Sequence, residues 1–259
     1  MATSTSVWSE AAGAIRLLVC GDVHYKWGPK DHRALELLKP HAVLFVGDFG
    51  EEATSIVEDI SCLPQPKATI LGNHDAWHSL YPTGQPQYSG ALKQLKDLGQ
   101  DHLAWSAKRF KGKDHPPFTI MGARPFSQGG DWANDFIQDP ATGEAVREDY
   151  GDWDLQEALS DPQTRQRVCA VVFGHMHHRL HPIAGGGLRN MAALDPTTAT
   201  VYLNAAVVPR QDTVEDFDGG LVQAQHFLAI EIRDDIVVMA THCDYTIESL
   251  FGSFAIQIY

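Results

Sequence analysis

Positive charge is scarce in this chain: 20 Lys and Arg stand against 33 Asp and Glu, a net charge of −13. A surface that acidic repels phosphate backbones and anionic bilayers, which excludes non-specific nucleic-acid binding and attachment to a membrane surface. Long apolar runs are missing as well. The longest is six residues, Val168–Phe173, against the ~20 that a membrane helix needs, so a soluble protein is expected. Cysteine is sparse too, with four residues (Cys20, Cys62, Cys169, Cys243) and no CxxC spacing. Free buried thiols are therefore expected rather than disulfides or a cysteine metal site, and a reducing compartment follows. Neither a basic start nor an apolar signal core precedes Ile15, so no secretory leader is expected and the cytoplasm is the expected location.

What remains is ordinary globular material. The chain has 259 residues, 44% hydrophobic and 20% charged, enough for a full core without staples. No repeat, low-complexity tract or linker divides it, so one domain over 1–259 is expected, with a tail at 1–13. The thirteen histidines are the unusual count.

Short apolar runs alternate with helical patterns through the first half. Ile15–Cys20, Ala42–Val46 and Ala68–Leu71 read as strands buried on both faces. Asp31–Lys39, Glu51–Ile60 and Gly90–Leu98 read as helices, the first with Asp31 as N-cap. That alternation predicts parallel βαβ units. His102–Phe110 and Phe118–Phe126 read as further strands. From Gln128 to Asp161 there are ten acidic residues and one basic residue, which predicts a long acidic loop without strands, broken by a short helix near Leu155–Leu159. Val168–Phe173, Thr200–Val208, His226–Ile232 and Ile236–Thr241 complete the strands, the last two as a hairpin around Asp234-Asp235 with core aromatics in the tail.

Four of the strands run into residues of the metal-ligating type. Gly21-Asp22-Val23-His24, Gly47-Asp48-Phe49-Gly50, Gly72-Asn73-His74-Asp75 and Gly174-His175-Met176-His177 each follow a predicted strand. Carboxyl ends of parallel strands share one sheet edge, where ligands bind, so the four clusters are expected to converge. In extended chain, residues i and i+2 face the same side, which would pair Asp22 with His24 and His175 with His177. Carboxylate, imidazole and amide oxygen together suit Mn, Fe or Zn rather than Ca. Each motif alone has a plain reading as a turn or surface pair; all four in this order do not.

The order DxH, GD, GNHD, GHxH resembles the calcineurin-like metallophosphoesterases, over roughly Ile15 to Arg210. The segment Tyr202–Arg210 (YLNAAVVPR) is similar to a cyanobacterial and plastid subgroup, which adds the plastid as a location. The resemblance implies an α/β fold, a β-sandwich flanked by helices. It implies that Asp22, His24 and His177 hold a first divalent metal (Mn, Fe or Zn), that Asp48 bridges two ions, and that Asn73 and His175 hold the second. His74 is then the general acid and Asp75 its orienting partner, for hydrolysis of a phosphoester, mono- or diester, by a metal-activated hydroxide. The family's further metal histidine between GNHD and GHxH has no counterpart, since Ser127–Arg167 contains no histidine. One tight and one weak metal site are therefore expected, and a scaffold protein of the same fold is the alternative to an enzyme. Asp131 or Asp135 of the acidic loop are candidate substitutes for the histidine. Arg124 is a phosphate contact or, with more weight, a structural arginine. His178 and Arg210 read as rim residues, and His102 and His115 as ordinary ones.

Overall fold

The computed structural model describes residues 7–9, 12–80, 89–127, 136–138, 145–147, 153–179, 187–215, 220–245 and 250–255. The first half alternates strand and helix: β1 (Ile15–Cys20), α1 (Pro29–Leu38), β2 (Ala42–Val46), α2 (Thr54–Ser61), β3 (Lys67–Ile70), then α3 (Trp77–Leu80) and α4 (Gly90–Leu98). A hairpin follows, β4 (Ala107–Phe110) with β5 (Phe118–Met121), and a smaller one, β6 (Phe136–Gln138) with β7 (Ala145–Arg147). Two helices, α5 (Trp153–Ser160) and α6 (Pro162–Arg165), lead to β8 (Ala170–Phe173), β9 (Ala192–Leu194) and β10 (Val201–Asn204). The last strands are β11 (Gln211–Glu215), β12 (Leu221–Arg233), β13 (Ile236–Tyr245) and β14 (Leu250–Ala255).

β1, β2 and β3 are parallel neighbours, as the βαβ pattern predicts. They belong to a seven-stranded sheet of order β14-β13-β12-β1-β2-β3, with β11 paired to β12. Alternate residues of β1 and β2 serve two cores. Leu18, Cys20, Val43 and Phe45 pack toward Ala34, Leu35 and Leu38 of α1 and Val57 and Ile60 of α2. Leu17, Val19, Ala42 and Leu44 face Val201 and Leu203 of a second, three-stranded sheet of order β8-β10-β9, and Ala205 just past it. The fold is therefore mixed α/β, sheet on sheet with helices outside. β8 is not in the same sheet as β1–β3: it pairs in parallel with β10, which carries its own apolar face into the shared core.

Several local expectations change. Asp31 is not the N-cap of α1. The helix begins at Pro29, the position proline favours, and the buried Asp31 carboxylate accepts from Gly28 N at 2.9 Å and from Arg210 Nη1 at 2.6 Å. Arg210 is not a rim residue either, being 2% exposed. Its guanidinium lies over the rings of Trp27 and Phe227 and also donates to the Lys26 and His226 carbonyls. The segment from His102 is a strand only from Ala107, because Trp105 at φ 52° turns the chain first. The acidic loop is not strandless. Ile137 registers with Val146 in the β6–β7 pair, a ladder too short to leave an apolar run, and the predicted helix is α5. Asp131, Asp135, the 1–6 part of the tail and residues 256–259 lie outside the described residues. The Asp234-Asp235 turn is as expected, both residues at positive φ (50° and 60°) between Arg233 and its partner Ile236. All four cysteines are free. Burial pushes the Cys20 and Cys243 thiols up to about 12, whereas Cys62 is exposed.

Removing one partner of a buried ion pair strands the other charge, at a typical cost of about 3–5 kcal/mol. Asp31→Ala is expected to lose that much in urea unfolding of the metal-free protein.

Candidate metal centre

Where the strands end, the backbone leaves extended geometry at once. Asp22, His24, Asp48 and His175 have φ of 48°, 41°, 54° and 68°, the left-handed region that costs a non-glycine residue free energy and clusters at functional sites. The pairing of ligand-type residues therefore does not come from extended i, i+2 alternation. Around His175 the chain makes tight turns instead, Met176 N to Gly174 O at 2.8 Å and His177 N to His175 O at 3.0 Å. Glycine is required for closeness as much as for φ. A Cβ at Gly47 (φ +91°) would stand 2.6 Å from Gly72 N, and one at Gly174 would stand 2.5 Å from Asp22 Oδ1.

These turns bring three ligand atoms together. His177 Nε2 is 3.1 Å from Asp22 Oδ2, His24 Nε2 is 3.3 Å from His177 Nε2, and His24 Nε2 is 3.9 Å from Asp22 Oδ2. Two ligands each about 2.1 Å from one ion stand roughly 3.0–3.4 Å apart at octahedral or tetrahedral angles. The two spacings to His177 fall in that range, and the 3.9 Å from His24 to Asp22 is wider, so a single divalent ion would draw these two together. Asp22 and His24 come from the β1 end and His177 from the β8 end, so the group is built across the two sheets. Asp22 Oδ1 is taken by His175 N–H at 2.9 Å, while the buried Oδ2 has no hydrogen-bond partner. Burial lowers the pKa of His24, against the pull of Asp22 and Asp48, so its neutral ring offers a lone pair.

A second set adjoins the first. Asp48 Oδ1 accepts from His74 N at 3.0 Å, and its buried Oδ2 is likewise unpartnered. His175 Nδ1 lies 2.9 Å from Asn73 Oδ1. Burial, then the neighbouring Asp22 carboxylate, raises the pKa of Asp48. Two buried carboxylate oxygens without donors, beside imidazole nitrogens and an amide oxygen, fit divalent cations of the Mn, Fe or Zn kind. Among the described residues, the group of His, Asp, Glu or Cys close enough to share one ion is Asp22, His24 and His177.

His74 stands beside these residues, its ring edge-on to His24 (centroids 5.0 Å) and stacked on Trp77 (4.9 Å, 9° between planes). Trp77 was missed in the sequence, although an aromatic three residues after the motif histidine is the signal that finds it. Asp75 does not orient the His74 ring. Its carboxylate accepts the backbone N–H groups of Asp48, Phe49 and Gly72 at 2.8–2.9 Å, fastening two motif turns to each other. Burial and the nearby Asp48 push its pKa well up, against those three donors. Arg124 pairs with Asp154 at 3.2 Å. His178 is half-buried, and its Nδ1 accepts from Val208 N at 3.2 Å. His102 Nε2 accepts from Leu71 N, and His115 stacks on His41, both ordinary structural contacts.

Two buried like charges side by side destabilise the metal-free fold. A group whose folded pKa is raised contributes stability at low pH that is lost as pH rises through that pKa. Asp48→Asn is therefore expected to raise the melting temperature of chelator-treated protein at neutral pH, and to shrink that gain as pH falls toward the ordinary carboxylate range. The same variant should lose the further stabilisation that Mn²⁺ gives the wild type. Calorimetry at several pH values with and without Mn²⁺ checks both.

In comparisons with known proteins, no curated protein matches. The chain is similar to a crystal structure of a metallophosphoesterase from Sphaerobacter thermophilus, at 16% identity over 85% of this chain and 84% of that one, with a TM-score of 0.39. The family model for calcineurin-like phosphoesterases matches residues 15–179. That stretch begins at β1, ends two residues past His177 and contains all four motif turns. The chain thus belongs to the calcineurin-like phosphoesterase family.

Proposed function

We propose that this protein hydrolyses phosphoesters with divalent metal ions held at the meeting of the two sheets. The observation that carries this is the pair of buried carboxylate oxygens, Asp22 Oδ2 and Asp48 Oδ2, left without hydrogen-bond donors beside His24 and His177. Buried acids in that state call for cations, and the family supplies the chemistry that such cations serve. Asp22, His24 and His177 would hold a first ion, Asn73 and His175 a second, with Asp48 shared. Ions there supply Lewis-acid activation of water and charge neutralisation at the phosphoryl oxygens.

The rest falls to the chain's own side chains. His74 donates a proton to the leaving-group oxygen. Its stack on Trp77 and its backbone bond to Asp48 support that role by holding ring and main chain. Asp75 acts on the Asp48 turn rather than on the proton donor. The first set has two imidazoles and a carboxylate. The second has a single imidazole, an amide oxygen and a shared carboxylate, so one ion is held much more tightly than the other. The whole chain acts as one domain. A scaffold role would give no use to a proton donor stacked in place beside the ligands.

The direct test is hydrolysis of p-nitrophenyl phosphate and bis-p-nitrophenyl phosphate with Mn²⁺, with and without chelator. Chelator-sensitive turnover of either ester is expected. Metal binding with no turnover of either would favour the scaffold. His74→Asn should cut turnover of an alkyl phosphate by about 10²–10⁴-fold while leaving metal content unchanged, and should cost less with p-nitrophenyl leaving groups, which leave without protonation. Elemental analysis after dialysis should find close to one ion per chain, with activity still rising as Mn²⁺ is added.

A further inference from the structure

Residues 204–210 lie beyond the part of the chain that the family model matches, yet they touch the turns on both sides of the three-ligand group. The segment leaves β10 beside the end of β8, where Ala205 N donates to Phe173 O at 2.8 Å. Asn204, 1% exposed, then reaches into the second turn. Its Nδ2 donates to the carbonyl of Met176, the residue before His177, and its Oδ1 accepts from Ala206 N at 2.9 Å. On the other side of His177, His178 N donates to Ala206 O at 2.9 Å and His178 Nδ1 accepts from Val208 N at 3.2 Å. His177 is thus gripped before and behind.

The same segment holds the first turn. A Cβ at Gly21 would come within 2.9 Å of Ala205 O, so the backbone just before Asp22 lies directly on Ala205. Five residues on, the buried Arg210 donates to the Lys26 carbonyl at 2.7 Å, closing the loop that carries His24. Asp22 and His24 follow a strand of one sheet and His177 a strand of the other, and among the described residues the two sheets share no strand-to-strand ladder. Together with the bond from His175 N to Asp22, the close approach of Gly174 to Asp22 and the shared apolar core, this segment ties the two halves to each other.

We propose that residues 204–210 form a clamp that holds the two halves of the three-ligand group at coordination distance, with Asn204 as its positioning residue through the Met176 carbonyl. The proposal rests on the metal-centre reading above. Asn204 bonds to the main chain of Met176, Ala206 and Met191 and supplies no ligand atom, so its effect falls on ion affinity. Partners that orient metal ligands typically contribute about 10–100-fold to affinity.

The experiment is calorimetric titration of Mn²⁺ into chelator-stripped full-length protein, comparing wild type, Asn204→Ala, Thr200→Val and His177→Ala. Thr200→Val removes a buried bond at the other end of the same strand, Thr200 Oγ1 to Val168 O at 2.7 Å, and touches neither turn. Asn204→Ala is expected to weaken the tight site about 10–100-fold, with turnover recovering at saturating Mn²⁺. Thr200→Val is expected to bind like wild type even where its melting temperature falls as far. Equal affinity in Asn204→Ala and wild type overturns the clamp alone, as does equal weakening in Thr200→Val. Binding unaffected by His177→Ala, or absent in wild type, overturns the metal centre and the clamp with it. Should Asn204→Ala not fold, Asn204→Asp replaces it. This near-isosteric change removes the donor to Met176 O and is held to the same outcomes.

Discussion

Two acids placed side by side in a protein interior, each with an oxygen that nothing donates to, govern how this molecule is organised. Asp22 and Asp48 sit at the ends of adjacent parallel strands, 1% and 2% exposed. Each has one oxygen bound by a backbone N–H from another motif turn: His175 for Asp22 and His74 for Asp48. The acids therefore act as pins through one oxygen and as cation seekers through the other. The turns around them take up left-handed backbone to make this possible, and the apolar cores on both faces of β1 and β2 offset the cost.

The polar groups behind the site serve the same arrangement. Asp75 spends its charge on three backbone N–H groups, locking the Asp48 turn to the Asn73 turn. Arg210 spends its charge on Asp31 and two carbonyls in full burial. Neither contributes an atom to the ligand group. Rigidity of this kind is how a site keeps ligands at bonding distance before an ion arrives.

Much of this could be read in the sequence. The four glycine-led motifs were visible because each is local: strand, turn and ligand lie within about ten residues of one another. The parallel order of β1, β2 and β3 followed from their apolar runs. Facts decided by distant partners could not be read. Nothing in AVVF says that β8 pairs with β10 rather than joining β1–β3. Nothing around Arg210 says that Asp31, far away in sequence, neutralises it in the core. His74-Asp75 looked like a proton donor and its orienting partner because they are adjacent. The short 3₁₀ turn over His74–Ala76 points the acid backwards instead, to the Asp48 loop. β11 and β14 were missed because their residues are mixed in polarity, and β9 because three residues, Ala-Ala-Leu, are too short a run to stand out; each is a strand only against a neighbour.

The pairing of β1 has a consequence for how the chain comes off the ribosome. On one side β1 is completed early by β2, but on the other its partner is β12, with Ile15 opposite Ile232 and Val19 opposite Leu228. About 200 residues separate the two, and at typical synthesis rates of 5–20 residues per second the wait is roughly 10–40 s. Throughout it, β1 presents an open, apolar edge of the kind that invites wrong pairing. The nascent protein thus spends its synthesis as a half-sheet whose central strand is still a border.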